Sequence, residues 1–314
     1  TGRDLHNNLW LQPLFISYGD FKLPVYIWLT ALASMLIESD AAVRVPNLLA
    51  GIGSLIVTAY LAVSLTKKDF DIREKFSIEE KLLFLATLLV QAISPWAIHF
   101  SRTGFEAFMS QFLLSLSALI IINSRRRPLL LGLGVLFGSL ATYTYFSTRF
   151  VWPVVIIALW FIRFFTLPPL FQLKNLRGLQ AFVFTTVRMN WLSLIQLLLC
   201  LGFFALSLVP MQRSEYYAQS QQFRLSTPSV LNPTEQVATS NYYTELGGTN
   251  AMSRIFFHRW VFLGRDLIAN YADHLNLKYL FFTSESNLRH STGQHGLFLF
   301  TAAPFFFWGI YHLS

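Results

Sequence analysis

The sequence predicts an all-α polytopic membrane protein, and three observations carry that prediction. The 314-residue chain is 54% apolar and 16% aromatic but only 13% charged, against about 25% charged for a soluble domain. Several apolar runs approach or reach the ~20 residues a helix needs to cross a bilayer. The charges are also sorted. With the runs taken in order and alternating direction, Lys67-Lys68, Arg125-Arg126-Arg127 and Lys174/Arg177 fall at one face. Asp4, Lys22, Arg102, Glu106 and Arg149 fall at the other. Cytoplasmic loops collect Lys and Arg, so the first set marks the inside. That bias accounts for the net charge of +8, and no nucleic-acid partner is expected.

The elements follow in order. Residues 1–46 read as a first outer loop, in which Leu23–Ile37 is apolar but covers only about 22 Å as helix, too short for a ~30 Å core. It is expected to be interfacial or re-entrant. Residues 47–210 read as a bundle of six spans: Asn47–Leu65, Leu82–His99, Phe105–Asn123, Leu129–Phe146, Val151–Phe165 and Trp191–Pro210. Ser77-Ile78-Glu79-Glu80 resembles a capping stretch for the second span, and Pro95 with Trp96 marks a kink and interface anchor near its end. Residues 211–294 are balanced in charge and rich in tyrosine, an expected ordered outer cap with amphipathic helix over Arg254–Leu280. Residues 295–314 hold a seventh span, His295–Leu313. Thr1-Gly2-Arg3-Asp4 shows no initiator Met and no signal-peptide pattern, and Ser314 directly follows an apolar run. The chain therefore reads as a fragment lacking both ends, short of at least one leading helix. Cys200, the single cysteine, lies in an apolar run and permits neither an internal disulfide nor a cysteine metal site.

The outer-face charges are the candidate chemistry. Lys22 precedes Pro24, which starts a helix and points the lysine out of its first turn; alone, it reads as a snorkelling interfacial lysine. Arg102 lies in the tight turn Ser101-Arg102-Thr103-Gly104-Phe105-Glu106. Glu106 lies a turn deeper, where a carboxylate costs ~2.5 kcal/mol or more unless it meets water or a cation. An Arg102–Glu106 pair at i,i+4 spacing is the plain structural alternative. Arg149 ends the hydroxyl-rich stretch Thr142–Arg149, and arginine binds phosphate oxygens bidentately. Asp4, a carboxylate beside this cationic face, suits a general base. His6, His99, His290 and His295 could add metal ligands to Asp4 or Glu106. No pair has a recognisable ligand spacing, so neither metal nor other cofactor is expected.

At these residues a family resemblance emerges. Asp4, Gly19-Asp20-Phe21-Lys22-Leu23-Pro24-Val25-Tyr26 and Ala42-Val43-Arg44-Val45-Pro46-Asn47 resemble the first outer loop of the GT-C membrane glycosyltransferases. The nearest likeness is to the bacterial family 39-like group, relatives of protein O-mannosyltransferases and lipid A aminoarabinose transferases. Ser94-Pro95-Trp96-Ala97-Ile98-His99-Phe100-Ser101-Arg102-Thr103-Gly104-Phe105-Glu106 looks like that group's second outer turn. Thr142–Arg149 and Ser286-Asn287-Leu288-Arg289-His290-Ser291 are also similar to it.

The resemblance implies a GT-C-like helical bundle in the bacterial plasma (inner) membrane, a multi-pass cell-envelope enzyme active on the periplasmic or extracellular side. It implies transfer of a sugar from a polyprenyl-phosphate donor to an acceptor hydroxyl of a protein, lipid or glycan. Asp4 matches the family's catalytic aspartate, Lys22 its phosphate-contacting lysine and Glu106 its second-turn carboxylate. Arg102 and Arg149 would add phosphate contacts, and Arg289 and His290 contacts from the cap. Many relatives follow the aspartate with glutamate, where this chain has Leu5. The chemistry is coherent, because cations must neutralise the leaving phosphate as the glycosidic bond breaks. One charge pair at ~4 Å is worth about 4 kcal/mol at an effective dielectric of 20, before desolvation. Direct displacement with Asp4 taking the acceptor proton gives inversion, with the lipid tail in a groove between helices. The rival readings are a transporter or flippase of an anionic lipid or solute, and a non-catalytic scaffold of the same fold. Transporters carry their charges at mid-membrane in broken helices of repeated halves, whereas the charges here lie near one face and no repeat is visible.

Overall fold

The computed structural model describes residues 10–17, 20–66, 75–124, 127–164, 191–226, 233–248, 250–283, 287, 290 and 293–313. They are mostly helical and fall into two compact units, Thr1–Ile93 with Ala97–Ser214 and Ser94–Trp96 with Glu215–Ser314.

In the first unit, β1 (Phe15–Ser17) and β2 (Asp20–Lys22) form an antiparallel pair with Phe15 opposite Lys22 and Ser17 opposite Asp20. The all-α expectation contains no strand here, since three residues are too few to reveal a period of two. Helix α1 (Pro24–Leu36) opens on Pro24, whose missing N–H is one that a first turn leaves unpaired anyway. The next N–H, of Val25, donates to Tyr143 O at 3.2 Å. At 1.5 Å per residue α1 is about 20 Å long, short of a hydrocarbon core. A short 3-10 turn (Asp40–Arg44) then leads into α2 (Val45–Thr66).

Helix α3 (Ile78–Ile93) starts with a reciprocal capping box. Glu80 N–H donates to Ser77 Oγ at 3.2 Å and Ser77 N–H to Glu80 Oε2 at 2.8 Å. Pro95 begins α4 (Pro95–Ser101). Because proline removes a helical donor and its ring clashes with the preceding turn, α4 turns away from α3 by 64°. The expected span Leu82–His99 is thus a bent pair of helices.

Helices α5 (Glu106–Ser124), α6 (Pro128–Thr142), α7 (Thr148–Phe164) and α8 (Trp191–Ser207), continued by α9 (Val209–Gln212), make the bundle. Their core is knit by polar atoms as well as apolar ones. Trp152 is fully buried and stacks on Phe204 at 4.4 Å between ring centroids. Its indole N–H donates to Ser117 Oγ at 2.8 Å, and Ser117 donates onward to Gly134 O at 2.6 Å. Ser110 donates to Ala141 O at 2.9 Å, which leaves Thr148 as the donor in the 2.5 Å contact between their hydroxyls. Gly138 permits this approach: a Cβ there would lie 1.9 Å from Trp152 Nε1.

Among the described residues three helices are long and apolar enough to cross a membrane: Asp40–Thr66, Glu106–Ser124 and Leu194–Gln212. The bent pair makes a fourth if taken as one span. Leu129–Thr142, Thr148–Trp160 and Phe300–Tyr311 are shorter apolar helices. The inside markers Lys67, Lys68, Arg125, Arg126, Lys174 and Arg177 lie outside the described residues.

The second unit holds α10 (Tyr217–Ser226), α11 (Pro233–Leu246), α12 (Ala251–Phe256) and α13 (Arg259–Asp273). Tyr243 of α11 stacks on Phe257 and Phe262 at 5.8 and 5.5 Å, and Asn250 caps α12 by accepting from Ser253 N–H at 2.8 Å. A π-helical turn (Tyr279–Thr283) follows, then a 3-10 turn (Phe300–Ala302) and α14 (Ala303–Leu313). The seventh apolar run is therefore helical only over its second part. Leu297 and Phe298 instead give their N–H groups to Tyr279 O and Leu280 O, at 3.4 and 2.8 Å. Gly296 allows this, because a Cβ there would meet the backbone of Leu280 and Phe281 at 2.5 Å.

Candidate functional site

Strand β2 and the start of α5 bring two of the sequence-selected charges together. Lys22 Nζ donates to Glu106 Oε1 at 3.0 Å, across 84 residues of chain, and lies 3.3 Å from Asp20 Oδ2. All three side chains are about one-third exposed, so the cluster can be reached from outside. Alternation along β2 puts Asp20 and Lys22 on one side and the buried Phe21 on the other. Partial burial pulls the Lys22 pKa down, but Glu106 and then Asp20 more than offset it, and the ammonium is held above its ordinary 10.5. A raised lysine pKa adds stability below about pH 10.5, lost as the pH climbs through the folded value. Around neutral pH the ammonium therefore stays charged.

The pair is positioned by groups the charge pattern did not reveal. Tyr26, on the first turn of α1, donates its hydroxyl to Val43 O at 2.8 Å. Its burial, aided by the nearby Glu106 charge, pushes the phenol up to about 12, so it remains a donor throughout the physiological range. Asn47, fully buried in α2, donates through Nδ2 to Thr103 O at 2.7 Å and Phe105 O at 2.8 Å. These are carbonyls of the turn that delivers Glu106 to the head of α5. Gly104 lies in the same turn, where an added Cβ would come within 3.0 Å of Val43. The first turn of α1 and the turn Thr103–Phe105 are thus both fastened to the stretch Val43–Asn47. An asparagine at the head of an apolar run was the one sequence signal that could have exposed this role.

The other candidates divide. Arg102 is exposed, donates its own N–H to His99 O, and does not pair with Glu106; the i,i+4 alternative is replaced by the Lys22 contact. The reason is local: Thr103–Phe105 break the helix, so Arg102 and Glu106 are not on one helical face. Arg149 donates Nε to Phe146 O at 3.0 Å, with its guanidinium over the Phe146 ring at 4.7 Å and the Phe150 ring at 5.6 Å. Asp4, Leu5, His6 and Arg289 lie outside the described residues. His99 packs edge-on against Phe100. His290, in the second unit, gives its N–H to Asn287 O at 2.9 Å. His295 lines a cavity of about 410 Å³ walled by Phe281, Phe282, Phe298 and Phe300. Among the described residues no three His, Cys, Asp or Glu side chains gather as a metal site would require.

Chemically, the cluster is an ammonium between two carboxylates, a charge arrangement that can exchange partners. An incoming phosphate would compete with Glu106 and Asp20 for the Lys22 donors, and each carboxylate released becomes an acceptor for a hydroxyl. In the same unit, α2, the bent pair and α5 line a mainly apolar groove of about 150 Å³, with Leu48, Ile52, Gln91, Ala97 and Phe108 among its walls. No family model matches the chain, and no curated protein or solved structure matches it either.

Proposed function

We propose that this chain is a membrane glycosyltransferase of GT-C type that moves a sugar from a polyprenyl-phosphate donor to an acceptor hydroxyl at the outer face, with inversion. The observation that supports this reading most is the contact between Lys22 and Glu106, 3.0 Å apart. The lysine of the first outer loop and the carboxylate of the second outer turn, assigned to one reaction from the resemblance, share one reachable cluster. In the proposed reaction Asp4 takes the acceptor proton as the acceptor oxygen attacks the anomeric carbon. The bond from that carbon to the phosphate oxygen breaks, and the negative charge passes to the lipid phosphate. Lys22 exchanges a carboxylate for that phosphate, with Arg102 and Arg149 as further cations. Glu106, once released, orients the acceptor. The groove beside α2 and α5 offers the tail an apolar bed. The seven-span arrangement and the periplasmic or extracellular siting of the chemistry belong to the same proposal.

One feature favours a second reading, a non-catalytic scaffold: Lys22 already has two carboxylate partners and serves as a structural tie. Transfer assays in membranes with a polyprenyl-phosphate sugar separate the two. Asp4→Asn is expected to lower turnover by about 10²-fold or more, in the range of a general base. Lys22→Ala is expected to weaken donor use at least tenfold. Undiminished transfer by Asp4→Asn would sink the general-base role, and absence of transfer by the unaltered chain with any such donor would favour the scaffold.

A further inference from the structure

Helix α13 (Arg259–Asp273) has one broad apolar face, of which only the Leu263 edge is covered. Phe262 and Leu263 are buried, and Phe262 packs on Tyr243 of α11. The rest of that face carries Trp260, Leu267, Ile268 and Tyr271, spaced i, i+7, i+8 and i+11, with Gly264 at i+4 leaving the middle of the stripe low. That spacing keeps them on one face. Trp260 is 63% exposed, Ile268 72% and Tyr271 74%, and Ile255 and Phe256 at the end of α12 are also exposed.

The composition of the exposed stripe indicates what covers it. Trp260 and Tyr271 combine an apolar body with a polar handle, the ring chemistry favoured where hydrocarbon meets headgroups. The Arg259 guanidinium lies over the Trp260 ring at 5.7 Å, and Arg254 and Lys278 flank the same segment. Long basic side chains on apolar rings reach from an acyl boundary to phosphates. The helix cannot cross a bilayer, since Arg259, Arg265, Asp266, Asn270 and Asp273 are all within it. A helix with a strong apolar side, a polar side and low net hydrophobicity lies in the interface plane. In the chain this unit follows directly on Leu194–Gln212, a segment long and apolar enough to span a bilayer.

We infer that the outer stripe of α13, extended by Ile255 and Phe256, is a membrane-surface docking face that lies flat in the headgroup region of a lipid bilayer. The inference goes beyond the proposed chemistry and does not depend on it. The test uses the full chain with Cys200→Ala, reconstituted in nanodiscs of phosphatidylcholine and phosphatidylglycerol. Single spin labels are placed at Ile268→Cys, Tyr271→Cys and, as a polar-side reference, Asn270→Cys. The ratio of collision with oxygen to collision with a water-soluble nickel chelate is expected to be at least fivefold higher at 268 and 271 than at 270. Equal, water-like ratios at all three positions would overturn the inference. So would dipolar broadening between labels, which would assign the face to a second copy. Labels at 268 and 271 shielded from both reagents would assign it to protein and overturn it as well. Either of the two apolar positions suffices if the other variant fails to fold.

Discussion

The two units solve the same problem in opposite ways. In the first, apolar helices are locked by polar atoms: Trp152, Ser117, Gly134, Ser110 and Thr148 form hydroxyl and indole contacts buried between α5, α6 and α7. In the second, aromatic rings supply the packing around Tyr243, and others, such as Trp260 and Tyr271, remain outward. Lipid tails are as apolar as leucine, so apolar contact alone does not select one helix arrangement over another inside a bilayer. Small residues and interhelical hydrogen bonds do. In the second unit the large buried area of aromatic rings supplies the packing.

That contrast can be broken or sharpened at chosen positions. The largest effect is expected at Gly138, where Ala would drive a Cβ into the buried indole of Trp152. Overpacking costs about 1–3 kcal/mol, and so close an approach puts this case at the upper end. The reaction of Cys200, buried beside Trp152, with a thiol-sensitive dye on heating reads that loss as a lower Tm. An unchanged Tm would mean that the close α6–α7 approach is not what holds the bundle. Next comes Asn47→Ala, which takes the side-chain donor from the Thr103 carbonyl and one of two donors from the Phe105 carbonyl, which also accepts from Phe108 N–H. About 2 kcal/mol should be lost, within the range for orphaned buried groups. The same dye reads it, and loss of the Lys22–Glu106 contact should accompany it, seen as a fall in the Lys22 pKa by NMR of the methylated amine. A full stability loss with an unmoved Lys22 would separate Asn47 from the site. The smallest effect has the opposite sign. Gly264 in α13 has open space where a Cβ would go, so Gly264→Ala should raise the stability of the second unit by about 0.5–1 kcal/mol. Hydrogen exchange across α13 measures it, and a destabilisation would mean that something presses on this stripe.

Much of the helical plan was legible because its signals are local. Apolar runs, the Ser77–Glu80 capping box and Pro95 each act within one or two turns, and the boundaries of α2, α5 and α8 fall within a few residues of the apolar runs that predicted them. The hairpin Phe15–Lys22 was not legible, as its strands are too short to carry a period. The late start of α14 was not either, because it depends on Gly296 lying against a turn earlier in the chain. The candidate site was half legible. Charges in apolar surroundings stand out by cost, so Lys22 and Glu106 could be selected singly, but their choice of each other over Arg102 could not.

The sequence by itself determined which segments are helical and apolar and which residues bear charge at their ends, since hydrophobicity, capping and proline act through neighbours in the chain. Tertiary structure alone decided that Lys22 meets Glu106 and Asp20, that Asn47 and Tyr26 hold the surrounding turns, and that α13 keeps one apolar stripe uncovered. Hydrogen bonds and ion pairs act over about 3 Å, and only the folded chain brings groups separated by up to 84 residues within that reach.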